Sequence, residues 1–198
     1  MKRLGGILLI GAAMAVVCGC ANVQKPESAV VPTATSSEMR KLETRNNAVS
    51  LLYDLTQEEK NLSKILIIKR GNKEFDELIK AIAQTTGDSG TRLEVLAAAD
   101  PQMKLHALEL PAGEKATRAS IAKTKEHELL FSSGNNFQFN LLLTQVDALS
   151  YGWHLAKIAG DNSSQPEEVR AFTEISAALA NLYEQDVEML KVEAKKSK

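Results

Sequence analysis

Three histidines, His106, His127 and His154, and 25 acidic residues are the side chains from which this 198-residue chain could assemble metal or acid–base chemistry. A dimetal carboxylate site in a helical bundle takes one Glu from each of two helices and a Glu-x-x-His pair from each of the other two, because that spacing turns both ligands to one inward face. No Glu-x-x-His occurs here: Met103, Thr124 and Tyr151 stand three residues before the histidines, and none supplies a carboxylate. Glu58 or Glu59 falls near the apolar stripe of its helix, where an unpaired carboxylate is costly. Glu59, Glu126 and Asp147 are the residues a nonstandard metal or small-molecule site would use, whereas the commoner arrangement is a solvent-facing or edge Glu. His127 sits in Lys125-Glu126-His127-Glu128, the pattern of a charged, solvent-facing helix surface.

The segment Tyr151-Gly152-Trp153-His154 concentrates the aromatic residues of the domain. A helical Gly costs about 1 kcal/mol relative to Ala unless another element packs closely against it. Ordinary helix packing at Gly152 is therefore the expected arrangement, and a small pocket lined by Tyr151, Gly152 and Trp153 is the functional alternative. There is no GxSxG nucleophile elbow, no GxGxxG and no Walker-type phosphate loop, so the sequence assigns no catalytic residue, no nucleotide site and no cofactor.

Cysteine has a different role. Lys2 and Arg3 form a short basic start, Leu4 to Val17 an apolar run, and Gly19 puts a small residue before Cys20. The apolar run is well short of the roughly 20 residues that span a bilayer. Val17-Cys18-Gly19-Cys20 resembles the lipobox of bacterial lipoproteins, with Cys18 where Ala or Ser is usual. The resemblance implies cleavage after residue 19, lipid on Cys20 and, because Ala21 rather than Asp follows, the periplasmic face of the outer membrane; inner-membrane anchoring or plain secretion are the alternatives. Cleavage would leave Cys20 as the sole cysteine, its sulfur in a thioether, so disulfide and thiolate-metal chemistry are excluded. It would also remove two of the 24 basic residues, leaving 22 against 25 acidic and a formal charge of −3. No basic face points to nucleic acid.

These features divide the chain into a signal peptide (1–19), a lipidated Cys with a flexible linker (20–38) and a helical domain (39–198). The linker carries Pro26, Pro32 and a Thr/Ser run without apolar periodicity. In the domain, Leu51, Leu52, Leu55, Leu62, Ile65 and Leu66 predict a first helix over about 40–70. Asn72 then caps a second with Phe75, Leu78, Ile79 and Ile82 on its buried face. Gly87-Asp88-Ser89-Gly90 is expected to interrupt that helix, with 91–99 resuming it or forming a short strand. An extended stretch leads to a third helix over about 113–131. The fourth, about 135–159, is the most apolar and central; it carries Phe139, Leu142, Val146, Leu149, Trp153 and Ala156, with Leu141 and Leu143 alongside. The last starts at Pro166 and carries Val169, Phe172, Ile175, Leu179, Leu182, Tyr183, Val187 and Leu190. The fold expected is all-α, an up-and-down bundle of four to five helices.

The runs KRGNKEFDELIKAIAQ, RLEVLAA and GNNFQFNLLLTQVDAL resemble the ferritin-like helical-bundle proteins of unknown function that bacteria export to the periplasm, over about residues 47–190. Such proteins commonly carry a histidine late in the second helix and another about four residues after the glutamine of the central helix. Thr86 and Leu149 occupy those positions, so the histidines that a metal or redox role would use are missing. The reading of the sequence is a lipid-anchored, non-catalytic interaction or structural module with an envelope protein as possible partner. The alternative is a ferritin-like metal- or small-molecule-handling protein.

Overall fold

Thr35 and Glu38 open the first helix with a reciprocal cap. The Glu38 backbone N–H donates to Thr35 Oγ1 at 3.3 Å and the Thr35 N–H donates to Glu38 Oε2 at 2.7 Å, satisfying two otherwise orphaned donors. The computed structural model describes residues 35–107, 110–132 and 134–196, and in it α1 runs Ser36–Glu59. The signal segment, Cys20 and the linker as far as residue 34 lie outside the described residues. Helix thus begins inside the stretch assigned to the linker, because the cap outweighs the weak propensity of the Ser pair. It also ends well before residue 70. Gln57 to Asn61 offers no apolar side chain to bury, and a 3-10 turn, Leu62–Lys64, followed by a single helical turn, α2 (Ile65–Ile68), redirects the chain and sinks Leu66 into the core.

α3 (Lys73–Ala99) starts as expected: Asn72 Oδ1 accepts the Phe75 N–H at 2.9 Å, and Glu74 and Asp76 occupy the first turn, where the helix dipole favours negative charge. It then runs unbroken through Gly87-Asp88-Ser89-Gly90, correcting the expected interruption. Tertiary contact overrides the local signal, because α1 lies too close to Gly90 for a larger side chain and in ordinary contact distance of Gly87. A Cβ at Gly90 would stand 2.9 Å from Thr56 Oγ1, and one at Gly87 3.5 Å from Lys60 Cβ. Residues 91–99 are helix, and the strand alternative is set aside.

α4 (Ala112–Phe131), α5 (Asn135–Asp161) and α6 (Pro166–Lys196) follow close to their expected bounds. Phe172, Ile175, Leu179 and Leu182 are buried, whereas Val169 and Leu143, expected on buried stripes, are more than a third exposed. The fold is an all-α bundle of five long helices and one short turn of helix, with no strand among the described residues.

Side-chain contacts set the order. Tyr53 Oη donates to Glu94 at 2.7 Å, which with the Thr56–Gly90 approach makes α1 and α3 antiparallel. Gly160 abuts Phe172 and Ser176 Oγ donates to the Trp153 carbonyl at 3.0 Å, so α5 and α6 are antiparallel too. Leu55 against Gly152 and Arg92 paired with Glu174 at 2.6 Å join the two hairpins. Since α3 and α5 both oppose α1, they run parallel, and the chain must cross over between them. The loop after Asp100 and α4 supply that crossover. No α4 side chain is fully buried; the helix is held at its C-terminal end by Lys69, whose Nζ donates to the carbonyls of Leu129 at 2.8 Å, Leu130 at 2.5 Å and Ser132.

The start of the crossover is fixed by a buried ionic and polar cluster. Arg45 pairs with Asp100 at 2.8 Å and with Glu168 at 2.9 Å. Asn46 Nδ2 donates to the Gln102 carbonyl at 2.9 Å; Ser50 Oγ donates to the Lys104 carbonyl at 3.0 Å and accepts the Ala107 N–H at 2.8 Å. Burial pushes the Asp100 carboxyl up, but the Gln102 N–H and the Arg45 guanidinium outweigh it and hold the group below the usual carboxylate range.

Candidate functional site

The break after α1 opens a cleft. The polar end of α1 (Glu58, Glu59), the redirected segment (Leu62, Lys64, Ile65, Ile68), the loosely seated α4 (Ala122, Lys125, Glu126, Leu129, Leu130) and α5 (Leu141, Thr144, Gln145) enclose about 410 Å³. The volume is within the range of small-molecule sites, and the lining has their usual make-up, aliphatic with a few polar groups.

Two of those polar groups are under strain from burial. Gln145 is 1% exposed, and its Oε1 has no hydrogen-bond partner among the described residues. Glu59 is half-buried as a residue, yet protein atoms crowd its carboxyl. That burial pushes the group up to about 7, a hydrogen bond with the Gln145 side chain lowers it in part, and the neighbouring Glu58 charge raises it again. A raised carboxyl and an unsatisfied buried amide oxygen in one cleft make it the candidate site. The cleft's hydroxyl is otherwise engaged: Thr144 Oγ1 donates to the Asn140 carbonyl at 3.0 Å.

Deeper in the bundle, Asp186 of α6 is fully buried, and neither carboxyl oxygen has a hydrogen-bond partner among the described residues. Burial pushes it up to about 8. The antiparallel register defined by Gly152 against Leu179 carries Asp186 two turns on to the level of Gln145.

The structure separates the other candidates. Glu59 and Glu126 share the cleft, but Asp147 is exposed and does not line it. The three residues therefore do not form one ligand set, and no group of three or more His, Cys, Asp or Glu among the described residues could hold a metal ion. Tyr151, Gly152 and Trp153 diverge likewise. Tyr151 is partly exposed with Arg118 6.0 Å from its ring centroid, and the space at Gly152 is filled by Leu55 and Leu179. Trp153 borders a separate groove between α5 and α6 with Lys157, Val169 and Thr173.

The histidines are apart from the cleft and from one another: His106 meets Tyr53 edge-on at 5.3 Å, His127 lies on Phe131 at 4.4 Å, and His154 Nδ1 is 2.7 Å from the Ser150 carbonyl. A larger groove of about 660 Å³ beside the end of α6 is rich in carboxylates. Glu188 there is paired with Lys191 and Glu193 with Lys196.

Sequence reasoning missed Gln145, Arg45, Asp100, Glu168 and Asp186. For Gln145 a signal was present, since it stands three residues after Leu142 and four before Leu149, on the buried face of α5. Compared with family models, curated proteins and solved structures, the chain matches none, so its function is read from the chemistry of the cleft itself.

Proposed function

We propose that this protein is a lipid-anchored envelope protein, tethered through Cys20, whose helical bundle is a non-catalytic binding module with the Glu59–Gln145 cleft as its small-molecule recognition site. The single observation that carries the reading is Gln145, buried in the lining of an aliphatic cleft it shares with Glu59, its amide oxygen without a donor among the described residues. Binding fits better than catalysis, because the cleft's hydroxyl is tied to its own helix and no histidine lines the cleft. The single crossover between two helical hairpins supports a ferritin-like arrangement, and the chemistry in the cleft is that of a binder.

A solvent-exchange NMR screen of small amphipathic molecules tests the binding role. Hits should shift resonances of α1, α4 and α5 and be lost when Ala122→Trp, at an exposed position in the lining, fills the cleft; hits that map elsewhere would remove the assignment. Incorporation of labelled fatty acid into wild type but not Cys20→Ala tests the anchor, and equal labelling would refute it. The exposed Ile67, Ile68, Leu130 and Phe131 favour a second reading, docking of an envelope protein. Crosslinking in envelope extracts should then yield a defined adduct that Phe131→Glu abolishes.

A further inference from the structure

We infer that the cleft selects ligands with a primary ammonium head on an aliphatic body, the ammonium lying between the Glu59 carboxylate and Gln145 Oε1. The inference deepens the binding role proposed above and rests on it.

The acceptors come first. Gln145 is 99% buried by its 1% exposure, lines the cleft, and has an amide oxygen without a donor. Its side chain hydrogen-bonds to Glu59, and once Glu59 is ionised the carboxylate and Gln145 Oε1 are both acceptors. A ligand carboxylate or phosphate would meet two acceptors and be repelled. A hydroxyl brings one donor, whereas an ammonium brings three and a charge, and can satisfy Gln145 Oε1 and Glu59 together. Charge agrees with this: the cleft is lined by three carboxylates, Glu58, Glu59 and Glu126, against two ammonium groups, Lys64 and Lys125. The rest of the lining is aliphatic and suits a hydrocarbon body rather than a polyamine, whose second charge would be buried without a partner.

The probes are n-octylamine, n-octanol and octanoate, titrated by calorimetry into the purified full chain and into Glu59→Gln, with circular dichroism melts confirming that the variant is folded. Octylamine should bind wild type about tenfold or more tighter than octanol, with octanoate weakest, and Glu59→Gln should erase the preference for the amine over octanol. An ammonium beside Glu59 also favours its ionised form. Binding near pH 6 should therefore release close to one proton to the buffer, seen as heats that vary with buffer ionisation enthalpy, and release should fade above about pH 8. Equal affinity for the three probes, or an amine preference that survives Glu59→Gln, overturns the ammonium inference while leaving the cleft a binding site. Binding by none of the three overturns the inference, and only a failure of the NMR screen as well would remove the binding role.

Discussion

Arg45 Nη1 stands 2.9 Å from Glu168 Oε2, joining the first helix to the last with both side chains at most 5% exposed. The same guanidinium holds Asp100 at 2.8 Å where the chain leaves α3 for the crossover, so one buried cation ties together three separate parts of the bundle. Such a pair is weak grounds for stability in itself, but breaking it leaves charge buried without compensation. Arg45→Met should therefore lower the unfolding free energy by about 3–5 kcal/mol in urea titrations at pH 7. Adding Asp100→Asn and Glu168→Gln should recover much of the loss; no recovery would show that Arg45 acts through packing rather than charge.

Gly152 and Gly113 make opposite predictions for one substitution. A Cβ at Gly152 would stand 2.8 Å from Leu55 Cδ2 and 3.2 Å from Leu179 Cδ1, whereas one at Gly113 meets nothing within 4 Å. Overpacking typically costs about 1–3 kcal/mol against a helix-propensity gain of about 1. Gly152→Ala should lower the thermal midpoint, and Gly113→Ala should leave it unchanged or raise it slightly. A stabilised Gly152→Ala would mean that Leu55 and Leu179 move aside freely.

Stability should also fall with rising pH. In the unfolded chain Asp186 titrates near 4; in the folded protein burial keeps its proton to about 8. Between those values the folded state binds more protons, so its stability is greatest at the acid end and is lost as pH rises through about 8. Glu59, raised to about 7, acts in the same direction. The combined effect is on the order of a few kcal/mol between pH 5 and 9. Urea midpoints at pH 5, 7 and 9 should decline in wild type and decline less in Asp186→Asn, and identical slopes would mean that the Asp186 carboxyl is hydrated.

Lys69 is the clasp of α4. With no fully buried side chain in that helix, its docking depends on the bonds from Lys69 Nζ to the carbonyls at its end. Lys69→Met should raise hydrogen exchange across residues 112–131 while leaving α3 and α6 protected and the global unfolding midpoint within about 1 kcal/mol of wild type. Uniform loss of protection would show instead that α4 is integral to the cooperative core.

The helical framework was legible in the sequence because apolar side chains recur at three- and four-residue steps and Asn72 and Pro166 mark helix starts. Gly87 and Gly90 read as breakers, but Gly90 is small because α1 packs on it, and that neighbour is remote in sequence. The Thr35–Glu38 cap was visible as Thr-x-x-Glu and was masked by the Ser/Thr-rich composition around it. Within the site, Glu59 was noticed for lying near an apolar stripe, and Glu126 does face the same cleft, but Asp147 does not.

By itself the sequence determined the all-helical class, the start of α3 at Asn72, the approximate bounds of α4, α5 and α6, and the lack of a Glu-x-x-His set, since each depends on residues within a few turns of one another. The tertiary structure alone decided that Arg45 meets Glu168 across 123 positions, that Gln145 reaches Glu59, and that Asp186 is enclosed with no partner. Those facts depend on which helices are neighbours and in what register. Burial then turns an ordinary carboxylate into a group that titrates near neutrality, and periodicity along one helix carries no record of the helix that will cover it.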